Sequence, residues 1–395
     1  MPEVDHTRAI RSSGRILTTH AGSLPRPPDL VELYARREQG HAIDLAALAE
    51  KIASATRAAV ARQHDVGIDI ANNGEQAREA FFLYVRSRMS GFGGSAARKP
   101  WGDLLAYPDF AKASGLSFAS KTMVSNRNPA TAIGDVRHIA PEANLAEIMD
   151  FKAALSELGL EFTDTFMTAP SPGMITLAMQ NCFYDNEEAY LAAVADALRV
   201  EYEAAVNHGM ILQIDAPDLA MERHMTFHDE PIDNFLAYIR KVVDRINVVL
   251  ANIPKERVRM HVCWGNYEGP HDCDVPLRDI LPSLLDAKVG GLLISFANPR
   301  HAHEISVLKQ FPLASDQYLV AGVIDTLTNF VEHPEVVADR IERAAECVGD
   351  PSRVLAGTDC GFDTAAGMGR VTSDVVWAKL QSLREGAELA SRRLF

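Results

Sequence analysis

The sequence has few cysteines, no basic run and no long apolar run, and each absence excludes a class of protein. Five cysteines in 395 residues are too sparse for a disulfide framework, so a reducing cytoplasm is the expected location. Lys and Arg number 39 against 53 Asp and Glu, a net charge of −14 without the cationic cluster that nucleic acid or an anionic membrane requires. The sequence contains no run of about 18 apolar residues, so it predicts no membrane-spanning helix. Small molecules remain as the expected partners.

Short apolar or β-branched runs alternate with segments of helical period along the chain, which is typical of βα units around a parallel sheet. The eight predicted strands are 15–19, 68–71, 161–168, 210–215, 257–263, 290–296, 318–324 and 353–359. The predicted helices between them are 44–65, 187–207, 232–251, 277–287, 301–309, 335–348 and 372–391. This pattern predicts the α/β class and a single (β/α)8 TIM barrel over 1–395.

A long gap separates the second and third predicted strands. We assign 76–160 to an insertion with a helix and a hairpin, the hairpin strands being 117–125 and 130–136. The stretch FFLYVRSRMSGF at 81–92 is predicted to be a packed helix, with a substrate lid as the alternative. A doubly wound open sheet is the other architecture, but no G-x-G-x-x-G or Walker A sequence supports it.

Soft metal ligands stand at two predicted strand ends, where a (β/α)8 barrel carries its active site. His261 and Cys263 end the fifth strand, and residues two apart on a strand share a face. Cys360 ends the eighth strand, and Gly361 lets the backbone turn away sharply. Because zinc prefers imidazole and thiolate, these three side chains predict a zinc site with one open position.

Other polar residues also follow predicted strands. His20 and Ser23 lie in the turn TTHAGSLPRP, whose backbone N–H groups can grip a carboxylate. Glu75 and Asp215 suit an ammonium group, with a helix cap or a structural ion pair as the alternative. Arg300 follows the sixth strand and can bind an anion or form a surface salt bridge.

The other three cysteines are favoured as residues of the core or of a polar loop. Cys182 and Cys347 are predicted to be small buried core residues. His271 and Cys273, in GPHDCDVPL, are favoured as part of a polar loop, with spare metal ligands or substrate contacts as alternatives.

Seven motifs resemble, in order and spacing, the zinc-binding catalytic barrel of cobalamin-independent methionine synthase and its short single-domain relatives. They are TTHAGSLPRP, GIDIANNGEQ, LQIDAPDLA, HVCWGN, ANPRHAHE, GVIDTLTNFVEHPE and AGTDCGF, which together cover nearly the whole chain. The resemblance implies a (β/α)8 barrel, related to uroporphyrinogen decarboxylase, whose zinc activates a thiol for alkylation. The implied zinc ligands are His261, Cys263 and Cys360, and the implied homocysteine contacts are Ser23, Glu75 and Asp215.

The sequence departs from the family's metal-binding pattern and from its length. Ser295, or Ala297 in the other register, stands where the family places a ligating Glu. We therefore expect three protein ligands to zinc, or Cys273 as a fourth. A chain of 395 residues also leaves no room for the second, N-terminal barrel of the folate-dependent enzymes.

The third departure concerns the general acid. Leu327 stands where the family has a histidine, two residues after Asp325, and His333 is the nearest imidazole in sequence. We take His20, Asp325 and His333 as the candidate catalytic residues. Because the expected proton donor is absent, the sequence favours a reactive donor, such as a strained epoxide, an onium methyl or a methyl-cobalt species, over folate's tertiary amine.

The predicted function is zinc-dependent methyl or alkyl transfer to a small-molecule thiol, with homocysteine favoured as the acceptor. Within the same chemistry, an epoxide:coenzyme M type transferase is the alternative, with Arg26, Arg78 and Arg300 as candidate sulfonate contacts. A metal-free decarboxylase or lyase on the related barrel, and a catalytically silent thiol-binding barrel, are the other two hypotheses. The sequence is also compatible with a homo-oligomer.

Overall fold

The computed structural model describes residues 10–113 and 123–395 of the chain. In this part the strands are β1 (Ile70–Ala71), β2 (Phe92–Gly93), β3 (Thr131–Ala132), β4 (Asp164–Pro170), β5 (Ile211–Asp215), β6 (Val258–Val262), β7 (Gly291–Ser295), β8 (Tyr318–Ile324) and β9 (Val354–Thr358). Strands β1 and β4 to β9 form one parallel sheet in chain order, and β2 pairs with β3 in an antiparallel ribbon. A parallel sheet in chain order is what the alternating pattern predicts.

Thr18 closes the sheet. It forms a parallel bridge with Ala356 of β9, and its carbonyl oxygen accepts the N–H of Ile70 in β1 at 3.0 Å. The chain around Thr18 therefore lies between the last and first strands and completes the predicted (β/α)8 barrel. The predicted strand 15–19 contributes only this bridge, because the Asp69 carboxylate, and not a neighbouring backbone carbonyl, accepts the Thr18 N–H at 2.8 Å.

The helices lie between the strands, close to their predicted positions. The α-helices are α1 (Pro28–Glu38), α2 (Leu45–Asp65), α3 (Val85–Arg88), α4 (Gly102–Ala106), α5 (Pro108–Ala113), α6 (Pro141–Leu158), α7 (Pro172–Ala178), α8 (Glu187–Asn207), α9 (Ile232–Val249), α10 (Leu277–Leu285), α11 (Pro334–Val348) and α12 (Ser373–Leu394). Short 3-10 helices span Pro217–Leu219, Met221–His224, Lys255–Arg257, Ala302–Lys309 and Pro351–Arg353. No helix of the described residues is long and apolar enough to cross a bilayer.

Local capping explains where two of the long helices begin. The Asp44 side chain accepts the N–H groups of Ala46 and Ala47 at the start of α2, and Asn186 accepts that of Ala189 in α8. Such caps satisfy backbone donors that the first helical turn leaves unpaired.

The segment 76–160 contains α3, α4, α5, α6 and the ribbon of β2 with β3. The partner of β3 is Phe92–Gly93, whereas 117–122 of the predicted hairpin lies outside the described residues. The prediction of one packed helix over 81–92 is wrong, because only the four residues of α3 are helical. The chain then turns at Gly91, where a Cβ would lie 2.6 Å from the carbonyl oxygen of Gly134.

Two apolar clusters lie on opposite faces of the sheet. Phe166, Ile211, Leu293, Val320 and Leu355 belong to a small separate cluster, and their neighbours in sequence belong to the large one. Because successive strand residues point to opposite faces, the small cluster fills the barrel interior and the large one packs under the helices.

Candidate metal centre and cavity

Two cysteines and a histidine meet at the carboxyl end of the sheet. His261 lies in β6, Cys263 follows that strand, and Cys360 comes two residues after β9. Their ligand atoms all lie within 4.8 Å of one another, and the two sulfur atoms are 4.0 Å apart. All three residues are buried. The arrangement is a donor set that can hold a metal ion.

Asp359 and Gly361 position Cys360. The Asp359 carboxylate accepts the backbone N–H groups of Phe296 and Ala297, each at 2.9 Å, which ties the end of β9 to the loop after β7. A Cβ on Gly361 would lie 2.1 Å from Oγ of Ser23. Only glycine therefore lets the chain pass Ser23 this closely.

His261 is held at both ring nitrogens. Nδ1 lies 3.1 Å from Oδ1 of Asp215, and Nε2 lies 3.1 Å from the carbonyl oxygen of Asp359. Burial disfavours the charged ring, but Cys263 and Asp215 raise the pKa of His261 to about 10. A hydrogen bond from Cys360 holds the pKa of the Cys263 thiol well below its usual value. The cluster is thus arranged around a thiolate.

The cluster forms part of the wall of a cavity of about 390 Å³, a size suited to a small molecule. Ser23, Glu75 and Asp215, predicted as substrate contacts, also line this cavity. The large apolar side chains of the remaining wall are Phe81, Phe82, Trp101, Leu104, Phe110, Met123, Met174, Met221, Met225, Tyr267 and Met368. Its charged side chains are Arg98, Lys99, Arg127, Glu268 and Arg370. The stretch 81–92, whose alternative prediction is a substrate lid, contributes Phe81 and Phe82. The sequence gives no local signal for the other members, because they are scattered from Trp101 to Met368.

Glu75 presents a carboxylate oxygen without a partner. Its Oε1 accepts a hydrogen bond of 2.8 Å from Oγ1 of Thr168, whereas the buried Oε2 has no partner among the described residues. Burial and the nearby charge of Asp215 raise the pKa of Glu75 to about 7. The backbone of Glu75 has a φ of 57°, and its N–H donates to Oδ1 of Asn73. The turn thus holds a single acid against the cavity.

Comparison with known proteins identifies the family. Residues 172–388, more than half of the chain, match the family model described as the catalytic domain of cobalamin-independent synthase. The chain belongs to this family.

Relatives match nearly the whole chain. A methionine synthase from Thermococcus kodakarensis is 27% identical over 384 residues, 95% of this chain and 94% of the relative. One from Saccharolobus solfataricus is 25% identical over 380 residues, 95% of both chains. These similarities confirm the resemblance seen in the motifs and make the chain a methionine synthase-like catalytic domain.

Solved structures support the barrel. A B12-independent methionine synthase from Shewanella sp. W3-18-1, solved in complex with selenomethionine, has a TM-score of 0.68 at 19% identity, covering 96% of this chain and 99% of that one. A putative B12-independent methionine synthase from Listeria monocytogenes has a TM-score of 0.61 at 19% identity, covering 95% and 99%. At this identity the likeness concerns the fold.

His20, a predicted catalytic residue, lies behind the cavity wall. Its Nε2 bonds Oε1 of Gln63 at 2.7 Å, and its Nδ1 accepts the N–H of Gly22 at 3.2 Å. Burial lowers the pKa of His20 to about 4, so the ring is neutral near pH 7. With both nitrogens occupied, His20 shapes the first turn.

The other two predicted catalytic residues are not brought to the cavity either. The Asp325 carboxylate accepts the backbone N–H groups of Leu327 and Thr328, so it closes its own turn. His333 is exposed and caps α11 by accepting the N–H of Glu335 at 3.2 Å. Neither residue lines the cavity.

Arg300 and Cys273 also lie away from the cluster. Arg300 is exposed, and its Nε donates to the carbonyl oxygen of His271 at 3.0 Å. Cys273 is exposed and groups with Asp103 and Asp272 instead of with the buried cysteines, so it is not placed as a fourth ligand.

Two further expectations are resolved by burial and hydrogen bonding. Ser295, which stands where the family places a Glu, donates its hydroxyl to the Asp359 carbonyl at 2.6 Å. Cys182 is exposed, so its prediction as a core residue is wrong, whereas Cys347 is buried as predicted.

Proposed function

We propose that the protein is a zinc-dependent thiol alkyltransferase that transfers a methyl group to homocysteine or a closely similar thiol. The observation that carries the proposal is the convergence of His261, Cys263 and Cys360 on a cavity that also presents the unpartnered Oε2 of Glu75. Family membership and the names of the relatives support the same chemistry.

The donor set fits zinc. Thiolates at a tetrahedral zinc with bonds of ~2.3 Å lie roughly 3.8 Å apart, close to the observed 4.0 Å between Cys263 and Cys360. Asp215 faces Nδ1 of His261, so Nε2 would be the ligand nitrogen and would exchange its contact with the Asp359 carbonyl for the metal. A carboxylate on the outer nitrogen is the usual partner of a metal-ligating histidine. Two thiolates and a neutral imidazole balance the charge of Zn²⁺.

Each cavity residue then has a role in binding the thiol substrate. Zinc supplies one open position and lowers the pKa of a substrate thiol, so that sulfur is available as a thiolate nucleophile. Glu75 accepts the ammonium group through Oε2, while Thr168 keeps Oε1 in place. Ser23 lies beside Gly361 and lines the same cavity. The turn that contains Ser23 would bind the carboxylate of the substrate. These contacts orient the sulfur for in-line attack on the alkyl carbon.

The described part of the cavity offers the leaving group no imidazole besides the proposed metal ligand. Among the described residues that line the cavity, His261 is the one imidazole, and it is committed to the metal. A donor whose leaving group needs no proton, such as an onium methyl, a methyl-cobalt species or a strained epoxide, therefore suits the site. The aromatic and methionine wall offers it an apolar surface.

The three arginines predicted as sulfonate contacts for the coenzyme M alternative do not line the cavity. Nη1 of Arg26 binds Asp363 at 2.9 Å, and Nε of Arg78 binds Glu147 at 2.9 Å, both deeply buried. With Arg300 on the surface, none of the three candidate arginines lines the cavity. Other cations do line it, namely Arg98, Lys99, Arg127 and Arg370. The amino acid thiol is therefore favoured by the unpartnered Oε2 of Glu75 and not by a lack of positive charge.

We propose further that 1–395 acts as one catalytic barrel and that the insertion 76–160 completes the cavity. Phe81, Trp101 and Leu104 come from this insertion and line the cavity together with the proposed metal ligands.

Zinc-edge X-ray absorption tests the proposal. In the wild type, homocysteine should add one sulfur neighbour to zinc, and a methyl donor should then yield methionine by mass spectrometry. Cys263→Ser/Cys360→Ser should lose the sulfur neighbours and the product, while Cys182→Ser, an exposed control, should keep both. An unchanged zinc–sulfur signal in the double variant overturns the proposal, and turnover that survives removal of the metal supports the decarboxylase or lyase alternative.

A further inference from the structure

Asp274 lies at the centre of a second buried polar cluster. Its Oδ1 lies 2.5 Å from Nδ1 of His224, and its Oδ2 lies 2.8 Å from Nδ1 of His271 and 2.7 Å from Nε2 of His301. These four residues are buried, and none of them lines the cavity or belongs to the cysteine cluster.

The outer nitrogens of two of these rings also face acceptors. Nε2 of His271 lies 3.0 Å from the carbonyl oxygen of Tyr267, and Nδ1 of His301 lies 2.8 Å from Oε2 of Glu304. A neutral imidazole has only one N–H. With Asp274 and Glu304 both ionised and no metal ion present, both rings carry two N–H groups, are cationic and share one oxygen of Asp274.

We propose that His271, Asp274 and His301 form a second metal site that takes a divalent transition ion such as Zn²⁺, Co²⁺ or Fe²⁺. The ligand atoms are Nδ1 of His271, Oδ2 of Asp274 and Nε2 of His301, which all lie within 4.8 Å of one another. One divalent ion replaces the two protons that point at Asp274, so the net charge of the buried cluster does not change.

The surroundings are those of a metal site. A ligating histidine usually donates its outer N–H to a carboxylate or a backbone carbonyl, which fixes its tautomer. Glu304 plays this part for His301, and the Tyr267 carbonyl plays it for His271. His224 holds the second oxygen of Asp274. Two nitrogens and one carboxylate suit a borderline transition ion, whereas Ca²⁺ and Mg²⁺ prefer oxygen ligands throughout.

A metal ion in the second site would stabilise the loop that follows β6. The Trp264 ring, next to Cys263, stacks on the His301 ring with centroids 3.8 Å apart, and Tyr267 lines the cavity. A metal ion between His271 and His301 would therefore join this loop to the segment after β7. Its expected role is structural, because it shares no ligand with the cysteine cluster and lies outside the cavity wall.

Cobalt titration of untagged, metal-stripped protein tests the second site independently of the proposed function. Co²⁺ bound to thiolate gives a near-ultraviolet charge-transfer band, whereas Co²⁺ bound to imidazole and carboxylate does not. The wild type should bind two equivalents. Cys263→Ser/Cys360→Ser should bind one equivalent without the band, and His271→Gln/His301→Gln should bind one with it. His303→Gln, an exposed control in the same loop, should bind two.

Three results overturn the second site. They are a single equivalent that carries the thiolate band in the wild type under excess Co²⁺, no bound Co²⁺ in the folded double cysteine variant, and an undiminished two equivalents in His271→Gln/His301→Gln. The wild-type stoichiometry, read together with the thiolate band, needs no variant, so it decides the question even if a substituted protein fails to fold. A thiolate band that is absent from the wild type instead contradicts the cysteine site and leaves the second site standing.

Discussion

Nδ1 of His261 lies 3.1 Å from Oδ1 of Asp215, so one of the two acids that sequence reasoning assigns to the substrate's ammonium group contacts a proposed metal ligand. Asp215 also accepts a hydrogen bond of 2.8 Å from Nε2 of Gln213, which directs Oδ1 at the imidazole. Because Asp215 also lines the cavity, its carboxylate lies between the proposed metal ligand His261 and the space available to a substrate.

Asp215→Asn should weaken zinc binding. Asparagine keeps an acceptor for Nδ1 of His261 but removes the charge that makes the imidazole a better ligand, so the zinc dissociation constant should rise about 10- to 100-fold. Competition with a chelator, followed by the thiolate–cobalt band, measures this affinity. Unchanged metal affinity together with a raised KM for homocysteine would show that Asp215 serves the ammonium group alone.

Glu75→Gln should impair binding of the amino acid thiol and leave the metal in place. Losing a charge-assisted hydrogen bond is worth about 1.5–3 kcal/mol, so KM for homocysteine should rise roughly 10- to 100-fold. A thiol without an amino group is the matched control, because its KM should not respond. An equal loss for both thiols would contradict an ammonium contact at Glu75.

The KM for homocysteine should fall as the pH rises from 6 to 8. Burial and Asp215 raise the pKa of Glu75 to about 7, so the carboxylate that attracts the ammonium group forms across this range. The side chain in the Glu75→Gln variant cannot ionise, so the pH dependence of its KM should reflect only the ionisation of the substrate thiol. Superimposable profiles for the two proteins would contradict the assignment.

Glu75→Gln should also stabilise the fold at alkaline pH. The carboxyl group has an ordinary pKa of 4.5 and a folded pKa of about 7, so the stability that it contributes below pH 4.5 is lost as the pH rises through 7. Above pH 8 the variant should gain about 3 kcal/mol in free energy of unfolding, and at pH 4 it should gain nothing. Urea unfolding at both pH values measures the difference.

Gly361→Ala should disrupt the turn that presents Cys360. The new methyl group would lie 2.1 Å from Oγ of Ser23, and the forced shift should cost about 1–3 kcal/mol. Gly134→Ala is the matched control, because its nearest contact would be at 3.5 Å. Thermal unfolding and metal content should fall in the first variant only. Equal behaviour of the two would show that the turn tolerates a side chain.

Much of the fold follows from periodicity that is visible in short stretches of sequence. The predicted strand 318–324 and the predicted helix 187–207 have the same ends as β8 and α8. Such elements depend on the spacing of apolar residues within a few turns or pleats, which any window of the sequence contains. The failure at 81–92 has a tertiary cause, because Met89 leaves the helix to pair with His138.

Local spacing likewise determined the centre of the candidate site. His261 and Cys263 share a strand face by their separation alone, and Cys360 joins them because the carboxyl ends of parallel strands meet at one end of a barrel. The structure groups these three residues as predicted.

Only the tertiary structure decided which polar side chains pair with one another. His20 pairs with Gln63 across 43 positions, His261 pairs with Asp215 across 46, and His301 pairs with Asp274 across 27. Hydrogen bonds act over about 3 Å, and which groups come that close depends on how the loops pack after the strands have assembled. Residue type and strand position therefore determined where chemistry can occur, and long-range packing determined the partner of each side chain.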